Sequence, residues 1–205
     1  MNGLRFGPIN APALHVCIDM QRLFAEPGEW HTPALMAIVP AVTAIVERHL
    51  ENTVFTRFIT PYSPDQAPGA WQRYYRRWRS VTREFLDPVM LDLVAPLQAY
   101  VPPAQIIDKT THSAFESENF NALIRRVNPG ALVFTGVETD VCVLASLLTA
   151  VDRGFRVIVV EDAVTSSSPQ GHRATLEAVL PRFDQQIETV TVEELLAGWP
   201  GLPRE

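Results

Sequence analysis

Only one lysine, at position 109, stands among the 17 basic residues of this 205-residue chain; the rest are arginine. Arginine is a planar fork that stays charged, whereas lysine is a compact point charge whose pKa moves on burial, so a solitary lysine marks a place where guanidinium would not serve. Cysteine is nearly as scarce. Cys17 and Cys142 sit on different elements without paired spacing, which excludes a disulfide framework and a cysteine zinc site and suits a reducing cytoplasm. The five histidines, His15, His31, His49, His112 and His172, form no HxH or HxxxH pair, so neither a metal nor a cofactor is expected. Glycine-rich nucleotide fingerprints are missing, and Gly136 alone makes no phosphate loop. No apolar run approaches the ~20 residues that span a bilayer, and the first twelve residues lack the apolar core of a secretory signal. With a net charge of -6, the chain also lacks the positive field that gathers nucleic acid or anionic lipid. A soluble cytoplasmic protein acting on a small molecule, without nucleic-acid or membrane partners, is the expectation.

What is present reads as one domain covering 1–205. Short β-rich runs near 13–18, 53–58, 104–108, 131–135, 156–161 and 186–190 alternate with amphipathic stretches near 33–50, 117–127, 140–153, 170–180 and 192–198. Continuous apolar strands such as Val157-Ile158-Val159-Val160 suit a sheet covered on both faces. The pattern therefore predicts a three-layer α/β/α sandwich with a six-stranded, mainly parallel, doubly wound sheet. Thr32-Pro33 and Ser168-Pro169 are expected to start helices, and Gly154 to end one. The stretch 60–103 breaks the rhythm, interleaving Trp71, Tyr74, Tyr75, Trp78 and Phe85 with arginines. Too long for a bare loop, it is expected to form a lid or a subunit contact in a homo-oligomer.

Reactive groups follow three strands. Asp19 ends the run Ala13–Ile18, Lys109 ends Ala104–Asp108, and Cys142 opens a helix after the strand 131–135 and Gly136. Doubly wound sheets bind ligands beyond their strand carboxyl ends, so the architecture gathers these groups at one edge. A carboxylate base, a cation and a thiol make a nucleophilic constellation. Cys142 is expected in a helical first turn capped by Thr139 or Asp140, where the macrodipole favours a thiolate and its N–H can serve an oxyanion. Phe24, Trp71, Trp78, His112 and Phe115 are candidate substrate contacts, and Arg57 is a candidate partner for a substrate carboxylate.

Taken together, Ile18-Asp19-Met20-Gln21 with Phe24, Lys109 followed by Ser113-Ala114-Phe115, and Thr135-Gly136-Val137-Glu138-Thr139-Asp140-Val141-Cys142-Val143 resemble the isochorismatase-like cysteine hydrolase superfamily. Glu161-Asp162-Ala163 and Ser168-Pro169 with His172 extend the likeness. That superfamily includes nicotinamidases, N-carbamoylsarcosine amidases, ureidoacrylate and biuret amidohydrolases, and isochorismatases. The resemblance implies Cys142 as nucleophile, Asp19 as general base and acid, and Lys109 as the charge orienting them. It also implies a non-proline cis peptide between Val137 and Glu138, with the N–H groups of Glu138 and Cys142 forming an oxyanion hole. Where nicotinamidases carry metal ligands after the second strand, this chain has Phe58, Ile59 and Thr60, which implies metal-independent cleavage of a small amide, ureido or carbamoyl compound through a thioester. Vinyl-ether hydrolysis with Asp19 as acid, or a non-catalytic binding module, are the alternatives.

Overall fold

The computed structural model describes residues 3–201. Six strands form one sheet: β1 (Ala13–Ile18), β2 (Thr53–Phe58), β3 (Gln105–Lys109), β4 (Ala131–Val137), β5 (Arg156–Thr165) and β6 (Ile187–Val190). Their order is β3-β2-β1-β4-β5-β6, and every pairing is parallel. Chain order thus runs outward to one edge through β3 and then restarts in the middle at β4. The reversal point lies between β1 and β4, where crossovers on opposite faces leave a crevice at the strand ends.

Eight helices accompany the strands among the described residues: α1 (Arg22–Ala25), α2 (Leu35–Arg48), α3 (Ala70–Arg77), α4 (Ala95–Gln98), α5 (Glu118–Val127), α6 (Leu144–Asp152), α7 (Pro169–Ala174) and α8 (Val192–Gly198). Helix α2 packs on α8 and over β1, β4 and β5, while α5 and α6 cover the other face. Both faces being covered, Val157, Ile158, Val159 and Val160 are all fully buried, as are Val16, Ile18, Phe55 and Phe134. One polar group runs through this core. His15 bridges Thr53 Oγ1 and Thr135 Oγ1 at 3.1 and 2.8 Å, tying three adjacent strands together.

Helix ends follow the sequence in part. Ser168 caps α7 by accepting the Gly171 N–H, Pro169 follows in the first turn, and Gly154 lies just beyond α6 with φ +80°. Thr32 is not a cap: α2 begins at Leu35 after Ala34, and the Thr32 hydroxyl donates instead to Glu138 Oε1 at 3.2 Å. A long-range acceptor competed successfully for a hydroxyl that local rules would assign to the helix. Strand β5 also outruns its expected end, because Glu161 and Asp162 are exposed at an irregularity in its pairing with β4 and the strand resumes through Ala163–Thr165.

The insert 60–103 contains α3, several short 3₁₀ turns and α4. Spacing puts Trp71, Tyr74 and Tyr75 on one face of α3, and Arg73, Arg76 and Arg77 are exposed. That aromatic face closes over the carboxyl end of its own sheet, where Trp30, Trp71, Tyr74 and Tyr75 pack ring to ring. The insert's return is pinned by Gln21. Its amide accepts from Phe58 N–H at 2.6 Å and donates to Leu91 O at 2.9 Å, joining the end of β2 to the insert.

Candidate active site

Asp19 leaves β1 in a left-handed conformation, φ +52°, which aspartate tolerates better than most residues. The turn is held on both sides. Its N–H donates to Thr56 O at 3.2 Å, and Thr56 Oγ1 donates to Asp19 Oδ1 at 2.6 Å. At the next strand, Gly136 (φ +102°) pairs with Ile18, and a Cβ there would lie 2.0 Å from the Ile18 carbonyl oxygen. Only glycine lets β1 and β4 stay this close just before both reactive residues.

Lys109 arrives from the edge strand β3, two strands away from β1. Its stem crosses the end of β2, with Nζ 4.6 Å from the centre of the Phe58 ring, and the ammonium ends 2.7 Å from Asp19 Oδ2. Both side chains are fully buried. Nζ also donates to Thr111 O at 3.0 Å. The Lys109–Asp19 contact is therefore a buried, charge-assisted ion pair.

Cys142 stands over this pair, within hydrogen-bond reach of both Asp19 and Lys109. It lies in an opening turn of wider winding, Thr139–Val143, that leads into α6. Neither Thr139 nor Asp140 caps that turn. Thr139 Oγ1 lies 2.9 Å from His172 Nδ1, and Asp140 accepts from Ser166 Oγ at 2.6 Å, so both side chains tether the turn to α7 and the loop before it. The Glu138 carbonyl takes the Val141 and Val143 N–H groups at 3.0 and 3.1 Å, and the Val137–Glu138 peptide is cis.

Electrostatics correct one expectation. Burial pushes the Cys142 thiol well above its ordinary pKa, more strongly than Lys109 can lower it, and Asp19 adds to the rise. The resting group is a thiol rather than a helix-activated thiolate, because lost hydration outweighs the pull of the Lys109 charge in so closed a site. Burial by itself would depress Lys109, but the Asp19 carboxylate lifts it above its ordinary value. His112 lies with Nδ1 3.7 Å from Cys142 Sγ; burial lowers its pKa, and Lys109 lowers it further.

A cavity of about 220 Å³ opens onto Cys142, walled by Phe24, Trp30, Phe58, Tyr74, Trp78 and His112, with Glu29, Glu138, Val141 and Ser167 completing it. Phe24, Trp78 and His112 thus line it. Trp71 stands one step back, 4.9 Å from the His112 ring, and faces an adjoining cleft. Phe115 does not reach the cavity. It is buried beside Phe120 and Phe155, since the short turn Ala114–Glu116 directs it into the layer beneath α5 and α6. Arg57 is likewise unavailable, its guanidinium held by Asp108 at 2.8 and 3.0 Å. Sequence reasoning missed Trp30 and Glu29, whose only local signal was the Pro27-Gly28 turn that brings them back over the sheet edge. It also missed Thr56, which orients Asp19. Among the described residues no group of three histidine, cysteine or acidic side chains could hold a metal ion, and Phe58, Ile59 and Thr60 supply no donor set at the end of β2.

The isochorismatase domain model matches residues 13–191. Ureidoacrylate amidohydrolase RutB of Methylobacterium radiotolerans is 30% identical over 209 residues, covering 90% of this chain and 79% of that protein. Maleamate amidohydrolase of Pseudomonas putida is 27% identical over 186 residues, covering 85% and 81%. A shorter match, 37% identical over 71 residues, spans 35% of this chain and 39% of an isochorismatase family protein of Bacillus subtilis. The crystal structure of an isochorismatase family protein from Desulfovibrio vulgaris superposes with a TM-score of 0.77 at 19% identity, covering 91% of this chain and 97% of that one. With the family domain matched from β1 to the start of α8, the chain belongs to the isochorismatase family, whose members include hydrolases acting on amides.

Proposed function

We propose that this protein is a metal-independent cysteine amidohydrolase that cleaves the C–N bond of a small amide, ureido or carbamoyl compound through a thioester. The observation that carries the reading is the Cys142 thiol lying against a buried Asp19–Lys109 ion pair, at the floor of a small aromatic cavity. Because the thiol rests protonated, attack needs a base at the moment of reaction. Asp19, within hydrogen-bond reach of the thiol, takes that proton as Sγ bonds to the substrate carbonyl carbon. Lys109 offsets the negative charge developing on sulfur.

The carbonyl oxygen, now an oxyanion, is received by the N–H groups of Cys142 and Glu138. The Glu138 carbonyl, four residues before Cys142, accepts from Val141 and Val143 instead, which leaves the Cys142 N–H to donate outward. As the tetrahedral species collapses, Asp19 returns the proton to the departing nitrogen, and the acyl group stays on Sγ. Water then enters the vacated place, gives a proton to Asp19 and adds to the thioester carbonyl. Collapse expels the sulfur, which recovers its proton, and the acid is released.

Ammonia release across a panel of small amides and ureides tests the proposal, with mass spectrometry of the quenched enzyme to trap an acyl adduct. Wild-type protein should turn over at least one compound and carry the adduct on Cys142, and Cys142→Ala should do neither. Near-normal turnover by the alanine variant would overturn the thioester mechanism.

A further inference from the structure

The cavity above Cys142 holds formal charge of one sign. Among its lining residues the charged ones are Glu29, which is exposed, and Glu138, whose Oε1 accepts from the Thr32 hydroxyl and the Ser167 N–H, and no lysine or arginine joins them. Lys109, beneath the floor, is offset by Asp19 at 2.7 Å. Arg57, a sequence candidate for an anion clamp, is committed to Asp108 and Asp92. The walls between the carboxylates are aromatic. Phe24 stacks on Trp30 with centroids 6.0 Å apart, and Trp30 meets Phe58 edge-on at 5.9 Å and Tyr74 at 5.9 Å.

Aromatic faces attract cations through their quadrupoles, and the attraction grows when the site is desolvated. Phe58 already receives one cation on its ring, the Lys109 ammonium. Carboxylates repel an anionic substrate from a cavity of about 220 Å³, with no room to hold it far away. Resting on the amidohydrolase reading, we infer that the preferred substrate is a small amide bearing a positively charged group, a quaternary or protonated amine, seated between the aromatic walls and the two glutamates. The scissile carbonyl then faces Cys142. The adjoining cleft, with Arg73 and Arg77, is where an anionic substrate would have to bind instead. It shares Tyr74 and His112 with the cavity but does not reach Cys142, and Arg77 already stacks on Trp78 at 5.0 Å.

Trimethylammonioacetamide and tert-butylacetamide are matched in shape and differ in charge, and succinamate supplies the anionic comparison. Wild-type kcat/KM should favour the cation over its neutral match by roughly tenfold or more, with succinamate poorest. Glu29→Gln should cut that preference by about threefold, and added salt should erode it. Equal or better use of the neutral compound, preference for succinamate, or a preference that Glu29→Gln leaves untouched would overturn the inference. Calorimetric binding of the same three compounds to Cys142→Ala separates the two proposals. Absent hydrolysis with cation-selective binding would sink the amidohydrolase reading alone; binding without cation preference would sink this inference whether or not amides are cleaved.

Discussion

Replacing Lys109 by arginine keeps the charge and should still disable the protein. The ammonium is fully buried and bounded on three sides: 2.7 Å from Asp19 Oδ2, 3.0 Å from Thr111 O and 4.6 Å from the Phe58 ring centre. A guanidinium is wider, planar and carries several donors, and this space presents one carboxylate oxygen and one carbonyl. Overfilling a packed site typically costs about 1–3 kcal/mol. A displacement of about 1 Å in the carboxylate would cost on the order of a hundredfold in rate. Lys109→Met tests the other limit, because it leaves Asp19 buried without its ion partner, a change that typically destabilises by about 3–5 kcal/mol. Denaturant unfolding followed by tryptophan fluorescence, beside ammonia release with any substrate found for the wild type, measures both effects. Methionine should be the less stable variant, arginine should fold, and both should be nearly inactive. An arginine variant with wild-type turnover would refute the argument and make the solitary lysine an accident of composition.

Iodoacetamide should modify Cys142 faster than Cys17, because Cys142 faces the cavity while Cys17 is wholly enclosed in β1; equal labelling in the folded protein would contradict this. Exhaustive chelation should leave turnover unchanged, and a loss that zinc, manganese or iron restored would show that a metal does act here. Stability should fall as the pH drops below 6.5 toward 3. Burial lowers the folded-state pKa of His15 to about 3 and of His49 to about 4, so in that window the unfolded chain binds protons that the folded chain refuses, at a slope near 1.4 kcal/mol per pH unit for each. His15→Gln should partly flatten this acid limb in unfolding titrations, and an unchanged slope would remove His15 as one of its sources.

Much of this architecture is written in local order. Strand placement followed from apolar runs, because a parallel sheet covered on both faces demands continuous hydrophobic segments, and Val157–Val160 satisfy that demand. Asp19, Lys109 and Cys142 were legible as reactive groups ending strands, since side chains at carboxyl ends of a doubly wound sheet share one edge whatever the details of packing. The rest depended on distance in three dimensions. Whether Lys109 reaches Asp19 turns on its strand lying two places from β1 and on Phe58 supplying the surface between them. Thr32 looked like a helix cap until a carboxylate 106 residues away claimed its hydroxyl. Phe115 stood close in sequence to Lys109 yet turned into the core, because it sits inside the short 3₁₀ turn Ala114–Glu116, which directs its ring toward Phe120 and Phe155. The resting state of Cys142 was beyond sequence altogether. A helix start and a neighbouring cation argue for thiolate, and only tertiary burial, which removes the water that would solvate that charge, makes the thiol the stable form.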